Sequence, residues 1–247
     1  MRPELPATGR LKRLAAERAS ELVESGMVLG LGTGSTAALA VAAIGRRLEQ
    51  GTLADVRGVP TSPRTRELAR AARIPLTDLE QSPRLDLTID GADEVAPDFG
   101  LIKGRGGALL REKIVAWATR RNVIVVDETK LVDRLGRRSS LPVEVVRFGW
   151  STHVAALERL GAEVTLRRAG DGEPYLTEEG HFLLDCRFAE AIGDAAGLER
   201  EIRARPGVVE TGLFLGLATT LVVGGESGVR VLERDRAGSS AGRGDRR

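Results

Sequence analysis

Apolar residues recur at intervals of three and four near the start of the chain, which is the spacing of one face of an α-helix. This spacing predicts an amphipathic helix over residues 10–25 that ends near Gly26. A short apolar run predicts a strand at 27–31, and a second periodic segment predicts a helix over 35–49. The chain therefore begins with helix and strand patterns in alternation.

The alternation continues through the first half of the chain. Further strands are predicted at 55–60, 85–89 and 122–126, and a further helix at 107–120. Ser62-Pro63 is typical of an N-cap followed by proline in the first turn of another helix. This order of elements favours an α/β fold with a parallel sheet and helices on its faces. Ligands of such sheets bind beyond the carboxyl ends of the strands.

The pattern changes near Leu141, where a smaller α+β unit begins. It is predicted to contain a first strand, a helix at 151–161, strands near 162–168 and 181–185, and a helix at 189–204. Strand character returns at 207–214 and 221–232. We therefore predict a larger domain over 1–135 that 206–233 complete, a smaller domain over 136–205, and a disordered tail at 234–247.

The charge of the chain is concentrated in that tail. The 247 residues carry a formal net charge of +2, but five arginines and two aspartates after Glu233 contribute +3, which leaves about −1 for the remainder. Short tails of mixed charge are usually only solubilising, and an aromatic content of 3% argues against base stacking. We therefore predict no nucleic-acid partner.

The sequence also carries a prediction about location. Cys186 is the only cysteine, so no internal disulfide forms and a reducing compartment fits best. The first twenty residues lack an apolar signal core, and no apolar run reaches the ~18 residues that a membrane span needs. We predict a cytoplasmic protein with no membrane partner.

A glycine-rich turn at 30–36 lies between a predicted strand and a predicted helix. Its backbone N–H groups and the hydroxyls of Thr33, Ser35 and Thr36 can bind an anion such as phosphate. The turn departs from the dinucleotide fingerprint because Ser35 stands where the sixth position needs glycine. It contains no lysine, which excludes the nucleotide-triphosphatase loop. A tight turn with a purely structural role is the alternative.

An acidic turn follows the strand at 85–89. It places Asp90, Asp93 and Glu94 within five residues. Three interpretations stand at this point: a solvated loop with an N-cap, a site for magnesium or calcium, and a catalytic cluster that exchanges protons with sugar hydroxyls. The spacing does not match the calcium loop, and no histidine is near.

A third chemical segment runs from Lys103 to Lys113, with Lys103 on a glycine-rich turn and Glu112 on a predicted helix. A fixed cation and a carboxylate suit removal of a proton beside a carbonyl, because the cation stabilises the oxygen charge that develops. A glutamate between Arg111 and Lys113 is also commonly just a surface charge. We expect these three segments to lie beyond the carboxyl ends of the strands and so to converge on one edge of the sheet.

Six blocks together resemble type A ribose-5-phosphate isomerase in order and spacing, over roughly residues 10–233. They are Gly32-Thr-Gly-Ser-Thr36, Asp90-Gly-Ala-Asp-Glu94, Lys103-Gly-Arg-Gly-Gly-Ala-Leu-Leu-Arg-Glu-Lys113, Asp127-Glu-Thr-Lys130, Leu141-Pro-Val-Glu-Val145 and Gly207-Val-Val-Glu-Thr-Gly-Leu-Phe214.

The resemblance implies a Rossmann-like domain with a smaller, ferredoxin-like α+β domain, usually as a homodimer or homotetramer. It implies interconversion of ribose 5-phosphate and ribulose 5-phosphate, with a sugar phosphate as the small-molecule partner and without a metal or organic cofactor. It also implies Glu112 as the proton acceptor. The implied substrate-binding residues are Lys12, Thr33, Gly34, Ser35, Thr36, Asp90, Gly91, Ala92, Asp93, Lys103, Gly104, Arg105, Gly106 and Lys130.

The chemistry that these groups allow begins with opening of the furanose, assisted by Asp90. Glu112 then takes the proton from carbon 2 and returns it to carbon 1. Lys103, whose hydrogen bonding Asp93 controls, stabilises the charge on the enediolate oxygen. Arg105 stands where this family often has glycine, which strains the turn if the backbone there needs a positive φ.

Two other functions remain open. A sugar-phosphate sensor of the same fold would bind the substrate without turnover, and a dinucleotide-dependent oxidoreductase is disfavoured by Ser35.

Overall fold

The alternating pattern forms a six-stranded sheet in the computed structural model, which describes residues 7–234. The strands are β1 (Val28–Leu31), β2 (Arg57–Pro60), β3 (Leu85–Asp90), β4 (Glu94–Val95), β5 (Leu101–Ile102), β6 (Thr119–Asp127), β7 (Leu141–Val145), β8 (Ala162–Leu166), β9 (Phe182–Phe188), β10 (Val208–Thr211), β11 (Leu213–Phe214), β12 (Thr220–Gly225) and β13 (Gly228–Glu233). The α-helices are α1 (Ala7–Ser20), α2 (Ser35–Glu49), α3 (Pro63–Ala71), α4 (Leu109–Trp117), α5 (Val154–Arg159) and α6 (Ala195–Arg203).

The large sheet has the order β13-β12-β6-β3-β1-β2. Its first five strands in the chain are parallel, and β13 pairs antiparallel with β12 at one edge. Side chains of α1, α2, β1, β3 and β6 form one continuous apolar core. Because β1, β3 and β6 are parallel, their carboxyl ends meet at one edge of the sheet.

A second sheet is antiparallel, with the order β10-β7-β9-β8. Together with α5 and α6 it has the β-α-β-β-α-β order of a ferredoxin-like unit. The predicted α/β class, with a Rossmann-like sheet and a smaller α+β unit, is therefore confirmed. A third sheet of only three short strands, β11-β5-β4, lies beside the two larger ones in the described part of the chain.

The strand β10 (Val208–Thr211) pairs in a different sheet from the one that the sequence predicts. The sequence predicts that residues 206–233 complete the large sheet, but β10 pairs with β7 of the smaller sheet, and of these strands only β12 and β13 join the large one. The residue pattern of a four-residue strand does not specify which strand it pairs with, so the sequence alone could not assign β10 to a sheet. The division into domains at 135 and 205 stays a prediction.

Two helices of the smaller unit are also shorter than predicted. The helix expected at 189–204 begins at Ala195, because the side chain of Asp194 caps it by accepting a hydrogen bond from the Gly197 N–H at 2.8 Å. The helix expected at 151–161 is a 3₁₀ turn over Trp150–His153 followed by α5.

No helix among residues 7–234 has the length and the apolar run needed to cross a bilayer. The predicted tail, apart from Arg234, lies outside the described residues.

Candidate active site

The first wall of the site is the turn between β1 and α2. At Gly32 an added Cβ would lie 2.2 Å from Asp90 Oδ1, so this position has room only for glycine. The close approach lets Asp90 Oδ1 accept hydrogen bonds from the N–H of Thr33 at 3.1 Å and from the N–H of Gly91 at 2.7 Å. Asp90, at the end of β3, therefore holds the two turns together.

The second wall is the turn that carries Lys103. Pairing of β5 with β11 fixes its start, where the Lys103 N–H donates to the Gly212 carbonyl at 2.9 Å. The positive φ angles of this turn, +105° and +80°, fall on Gly104 and Gly107. Arg105 is not among the positive-φ residues of the described chain, so arginine at this position does not strain the turn.

The Lys103 ammonium group lies between two buried carboxylates. Its Nζ is 3.0 Å from Asp90 Oδ2 and 3.2 Å from Glu112 Oε2, and it donates to the Gly91 carbonyl at 2.6 Å. All three side chains are almost fully buried, with residue exposures of 3% to 4%. The Phe214 ring lies beneath the ammonium, with its centroid 5.3 Å from Nζ. One cation is thus shared by two acids in a dry environment.

Burial raises the pKa of Glu112 to about 8, since desolvation and the charges of Asp90 and Asp93 outweigh the attraction of Lys103. Burial raises the pKa of Asp90 as well, although Lys103 and the two N–H donors oppose the shift. Burial lowers the pKa of Lys103, but the two carboxylates outweigh it and raise that pKa overall. Lys103 is therefore a permanent cation.

Glu112 is the carboxylate with the weaker hydrogen bonding. Its Oε2 accepts no hydrogen bond of good geometry within residues 7–234, despite the short distance to Lys103. Asp90 Oδ1, in contrast, has its two backbone donors. With its pKa of about 8, Glu112 can take up a proton and release it near neutral pH.

The acidic turn does not gather its carboxylates around one point. Asp90 turns toward Lys103, Asp93 Oδ2 accepts from the Arg105 N–H at 3.0 Å, and Glu94 accepts from the N–H groups of residues 136, 138 and 139. Among residues 7–234, no group of three or more His, Cys, Asp or Glu side chains is arranged to hold a metal ion.

These walls enclose a cavity of about 360 Å³ at the carboxyl edge of the sheet. It is lined by Lys12, Thr33, Gly34, Ser35, Thr36, Gly91, Ala92, Asp93, Lys103, Gly104, Arg105, Gly106, Glu112 and Lys130. Every residue that the sequence singled out for the site lines this cavity except Asp90, which lies buried behind Lys103. A larger groove of about 630 Å³ lies between α2 and α3, but the buried titratable groups described above are not there.

One end of the cavity is suited to an anion. The N-terminus of α2 opens there, and Lys12 Nζ lies 3.3 Å from Ser35 Oγ. Lys130 reaches the same cavity from a 3₁₀ turn over Glu128–Lys130. The Thr33 hydroxyl is already engaged, with oxygens of Thr61 at 2.7 Å and Ser62 at 2.8 Å. The backbone of the turn, the Ser35 hydroxyl and two lysines thus remain to bind the anion.

Ser62 and Phe214 are two side chains near the cavity to which the sequence assigned no role in the site. Ser62 caps α3, as predicted, and also fixes the Thr33 side chain. Phe214 lies near both Lys103 and Lys113, at 5.3 Å and 4.9 Å from the two ammonium groups. Phe214 stands in one of the six quoted blocks, but its contact with the two lysines is long-range in sequence and leaves no local pattern.

Comparison with known proteins agrees with this geometry. The family model for ribose 5-phosphate isomerase A (phosphoriboisomerase A) matches residues 57–228, well over half of the chain. A ribose-5-phosphate isomerase A from Gloeobacter violaceus is 56% identical over 223 residues, which cover 90% of this chain and 95% of the relative. The chain belongs to the ribose 5-phosphate isomerase A family. The resemblance inferred from the six sequence blocks is therefore confirmed.

Other relatives cover the chain equally well. A ribose-5-phosphate isomerase A from a Synechococcus species is 49% identical, over 93% of this chain and 100% of the relative. A solved D-ribose-5-phosphate isomerase in complex with phospho-erythronic acid is 38% identical, with a TM-score of 0.90, over 93% of this chain and 100% of that one. The ribose 5-phosphate isomerase A of Methanocaldococcus jannaschii is 39% identical, with a TM-score of 0.86, over 92% and 100%.

Proposed function

We propose that this protein interconverts D-ribose 5-phosphate and D-ribulose 5-phosphate through an enediolate, as a cofactor-independent isomerase of the non-oxidative pentose phosphate pathway. The observation that carries the proposal is the position of Lys103, 3.2 Å from the carboxylate of Glu112, at a cavity whose other end suits a phosphate. The family of the chain supports the same activity.

The substrate phosphate binds at the N-terminus of α2, between Lys12 and Lys130. The helix end supplies backbone donors and a partial positive charge, and the two lysines neutralise a dianion. This binding places the sugar carbons along the cavity toward Lys103 and Glu112. The phosphate end supplies ground-state affinity, and the opposite end supplies the chemistry.

Glu112, as a carboxylate, takes the proton from carbon 2 of the open-chain aldose. Electrons of that C–H bond form the double bond between carbons 1 and 2, and the aldehyde oxygen becomes an enediolate oxygen next to the Lys103 ammonium. The hydroxyl proton on carbon 2 passes to the neighbouring oxygen on carbon 1, so that the negative charge lies on the oxygen of carbon 2. Glu112 then returns its proton to carbon 1, the carbon–carbon double bond supplies the electrons of the new C–H bond, and the oxygen on carbon 2 becomes the ketone oxygen. Its pKa of about 8 suits both steps, since the group accepts and releases a proton near neutral pH.

Asp90 and Asp93 have separate parts in this proposal. Asp90 does not line the cavity, so its carboxylate holds Lys103 and the Thr33 turn in place. Asp93 is only half-buried and lines the cavity, which puts it nearer to the ring oxygens. The sequence assigned the assistance of ring opening to Asp90, but Asp93 and not Asp90 lines the cavity. We therefore propose Asp93 for these proton transfers, assisted by the electrostatic field of Asp90.

The test is conversion of ribose 5-phosphate to the ketose by the purified full-length chain in excess chelator. We expect full activity with the chelator present, because the proposed chemistry uses only protein side chains. Binding of ribose 5-phosphate without turnover would favour the sugar-phosphate sensor instead. Activity that is lost with chelator and restored by a divalent cation would contradict the cofactor-independent mechanism.

The proposed assembly is a homodimer or homotetramer in the cytoplasm. Trp117 and Ile114 on α4 support a protein contact, because 71% and 48% of these apolar residues are exposed. Light scattering after size-exclusion chromatography gives the oligomer size, and a monomer at micromolar concentration would contradict the assembly.

A further inference from the structure

The catalytic turn of residues 103–107 is in contact with the smaller, four-stranded sheet and its hairpin. At Gly104 an added Cβ would lie 3.2 Å from Pro142 Cγ, and at Gly107 it would lie 2.3 Å from the Tyr175 hydroxyl. The third contact is polar and comes from Arg167, the residue that follows β8. One side of the turn thus faces the substrate cavity, and the other packs against the smaller unit.

Arg167 binds the backbone of the turn directly. Its Nη1 donates to the Gly104 carbonyl at 2.9 Å and to the Arg105 carbonyl at 3.2 Å. The rest of the guanidinium is held by Asp185 on β9, with Nε 2.8 Å from Oδ2 and Nη2 2.5 Å from Oδ1. The side chains of Arg167 and Asp185 are 15% and 23% exposed, so the pair is only partly accessible to water. A bidentate pair of this kind fixes the orientation of the guanidinium.

These bonds determine how the peptide planes of the turn are oriented. The plane between Gly104 and Arg105 is held on both sides, by Arg167 at its carbonyl and by Asp93 at its N–H. In a planar trans peptide the carbonyl and the N–H point in opposite directions. A second bond from Arg167 to the Arg105 carbonyl therefore directs the Gly106 N–H away from Arg167, and Gly106 lines the substrate cavity.

We propose that Arg167, fixed by Asp185, is a positioning residue for the isomerisation. From its place in the smaller unit, Arg167 holds the catalytic turn of residues 103–107 in the geometry that the reaction needs. The proposal rests on the proposed function. The effect falls on the chemical step, because the turn carries Lys103 and Asp93 is bonded to it, whereas the phosphate end of the cavity is built from other elements. Loosening catalytic groups by about 1 Å lowers turnover by up to about a hundredfold.

The test compares Arg167→Ala, Asp185→Ala and the double variant with the native protein. We expect kcat to fall about tenfold in Arg167→Ala while KM stays within about twofold, since the phosphate seat is intact. Asp185→Ala lowers kcat by a smaller factor, and the double variant is no worse than Arg167→Ala alone, because Asp185 acts through Arg167. The matched control is Arg168→Ala. Within residues 7–234 the side chain of this neighbouring arginine donates a hydrogen bond only to the Gly172 carbonyl, in the loop between β8 and β9.

Circular dichroism and the unfolding midpoint establish that each variant is folded at the assay temperature. If Arg167→Ala does not fold, Asp185→Asn replaces it, with an expected loss of about threefold in kcat at constant KM. An unchanged kcat in a folded Arg167→Ala or Asp185→Asn variant would overturn the proposal, as would an equal loss in Arg168→Ala. An inactive native protein would instead refute the proposed function, so the two failures are distinguishable.

Discussion

The pH dependence of turnover follows from the burial of Glu112. With a pKa of about 8, the group is half ionised near pH 8, about one tenth ionised at pH 7 and about one hundredth at pH 6. Only the carboxylate form removes the proton from carbon 2. We therefore expect kcat/KM to fall about fivefold between pH 8 and pH 7 and about tenfold for each further unit, with a midpoint near 8 that belongs to the free protein.

The assay is the initial rate of ketose formation between pH 5.5 and 9.5 at constant ionic strength. The substrate phosphate loses its second proton near pH 6, about two units below the predicted midpoint, so the two titrations separate. Asp93→Asn should lower the midpoint, because the charge of Asp93 contributes to the raised pKa of Glu112. Asp78→Asn, at an exposed carboxylate in the loop between α3 and β3, should leave the midpoint unchanged. A level profile between pH 6 and 9, or a midpoint near the ordinary value of 4.5, would refute the reasoning.

Three further perturbations follow from the structure. Glu112 holds its proton in the folded chain between pH 4.5 and about 8 while the unfolded chain has lost it, so the free energy of unfolding should fall as pH rises through this window. The contribution of this group is at most about 1.4 kcal/mol per pH unit, and denaturant titrations of Glu112→Gln should show the shallower slope. Gly32→Ala forces Asp90 aside and should lower the free energy of unfolding by about 1–3 kcal/mol and remove most of the activity. Gly170→Ala is the control, because the space around its added Cβ is open and the change should have little effect. Equal effects of the two substitutions would contradict the packing argument. Lys113→Met removes the buried cation 2.8 Å from Glu210 and leaves that carboxylate only the half-exposed Arg203 at 3.6 Å. It should destabilise the fold by about 3 kcal/mol, against less than about 1 kcal/mol for Arg70→Met at an exposed ion pair. Equal shifts in the unfolding midpoint would contradict this difference.

The local pattern of the sequence was sufficient for several of the elements that build the site, but it did not predict the two-residue strands β4 and β5 or the 3₁₀ turn at Glu128–Lys130. The period of 3.6 placed α2 at the same residues as the structure, and Ser62-Pro63 predicted the start of α3. Parallel strands end at one edge of a sheet, so the carboxyl ends of β1 and β3 lie close together. The proximity of Thr33 and Asp90 could therefore be predicted from the sequence alone. The proposed role of Glu112 as the base came from the resemblance, since a glutamate on a helix is not distinctive by itself.

What could not be predicted depends on contacts between residues distant in the chain. The choice of β7 as the partner of β10 is made by packing in the smaller unit, and nothing within Val208–Thr211 encodes it. The burial of Asp90 behind Lys103 depends on the close approach of Gly32. The bond from Arg167 to the Gly104 carbonyl joins residues 63 positions apart and uses a backbone acceptor, which no side-chain pattern reveals.

The central claim is that Glu112 carries the migrating proton, and its most direct test is Glu112→Gln. The amide keeps the size of the side chain and can place its oxygen beside the Lys103 ammonium, but it cannot act as a base at neutral pH. We expect kcat to fall at least about a thousandfold, while the dissociation constant for ribose 5-phosphate, measured by calorimetry, changes less than about threefold. Turnover by Glu112→Gln within tenfold of the native rate would contradict the account.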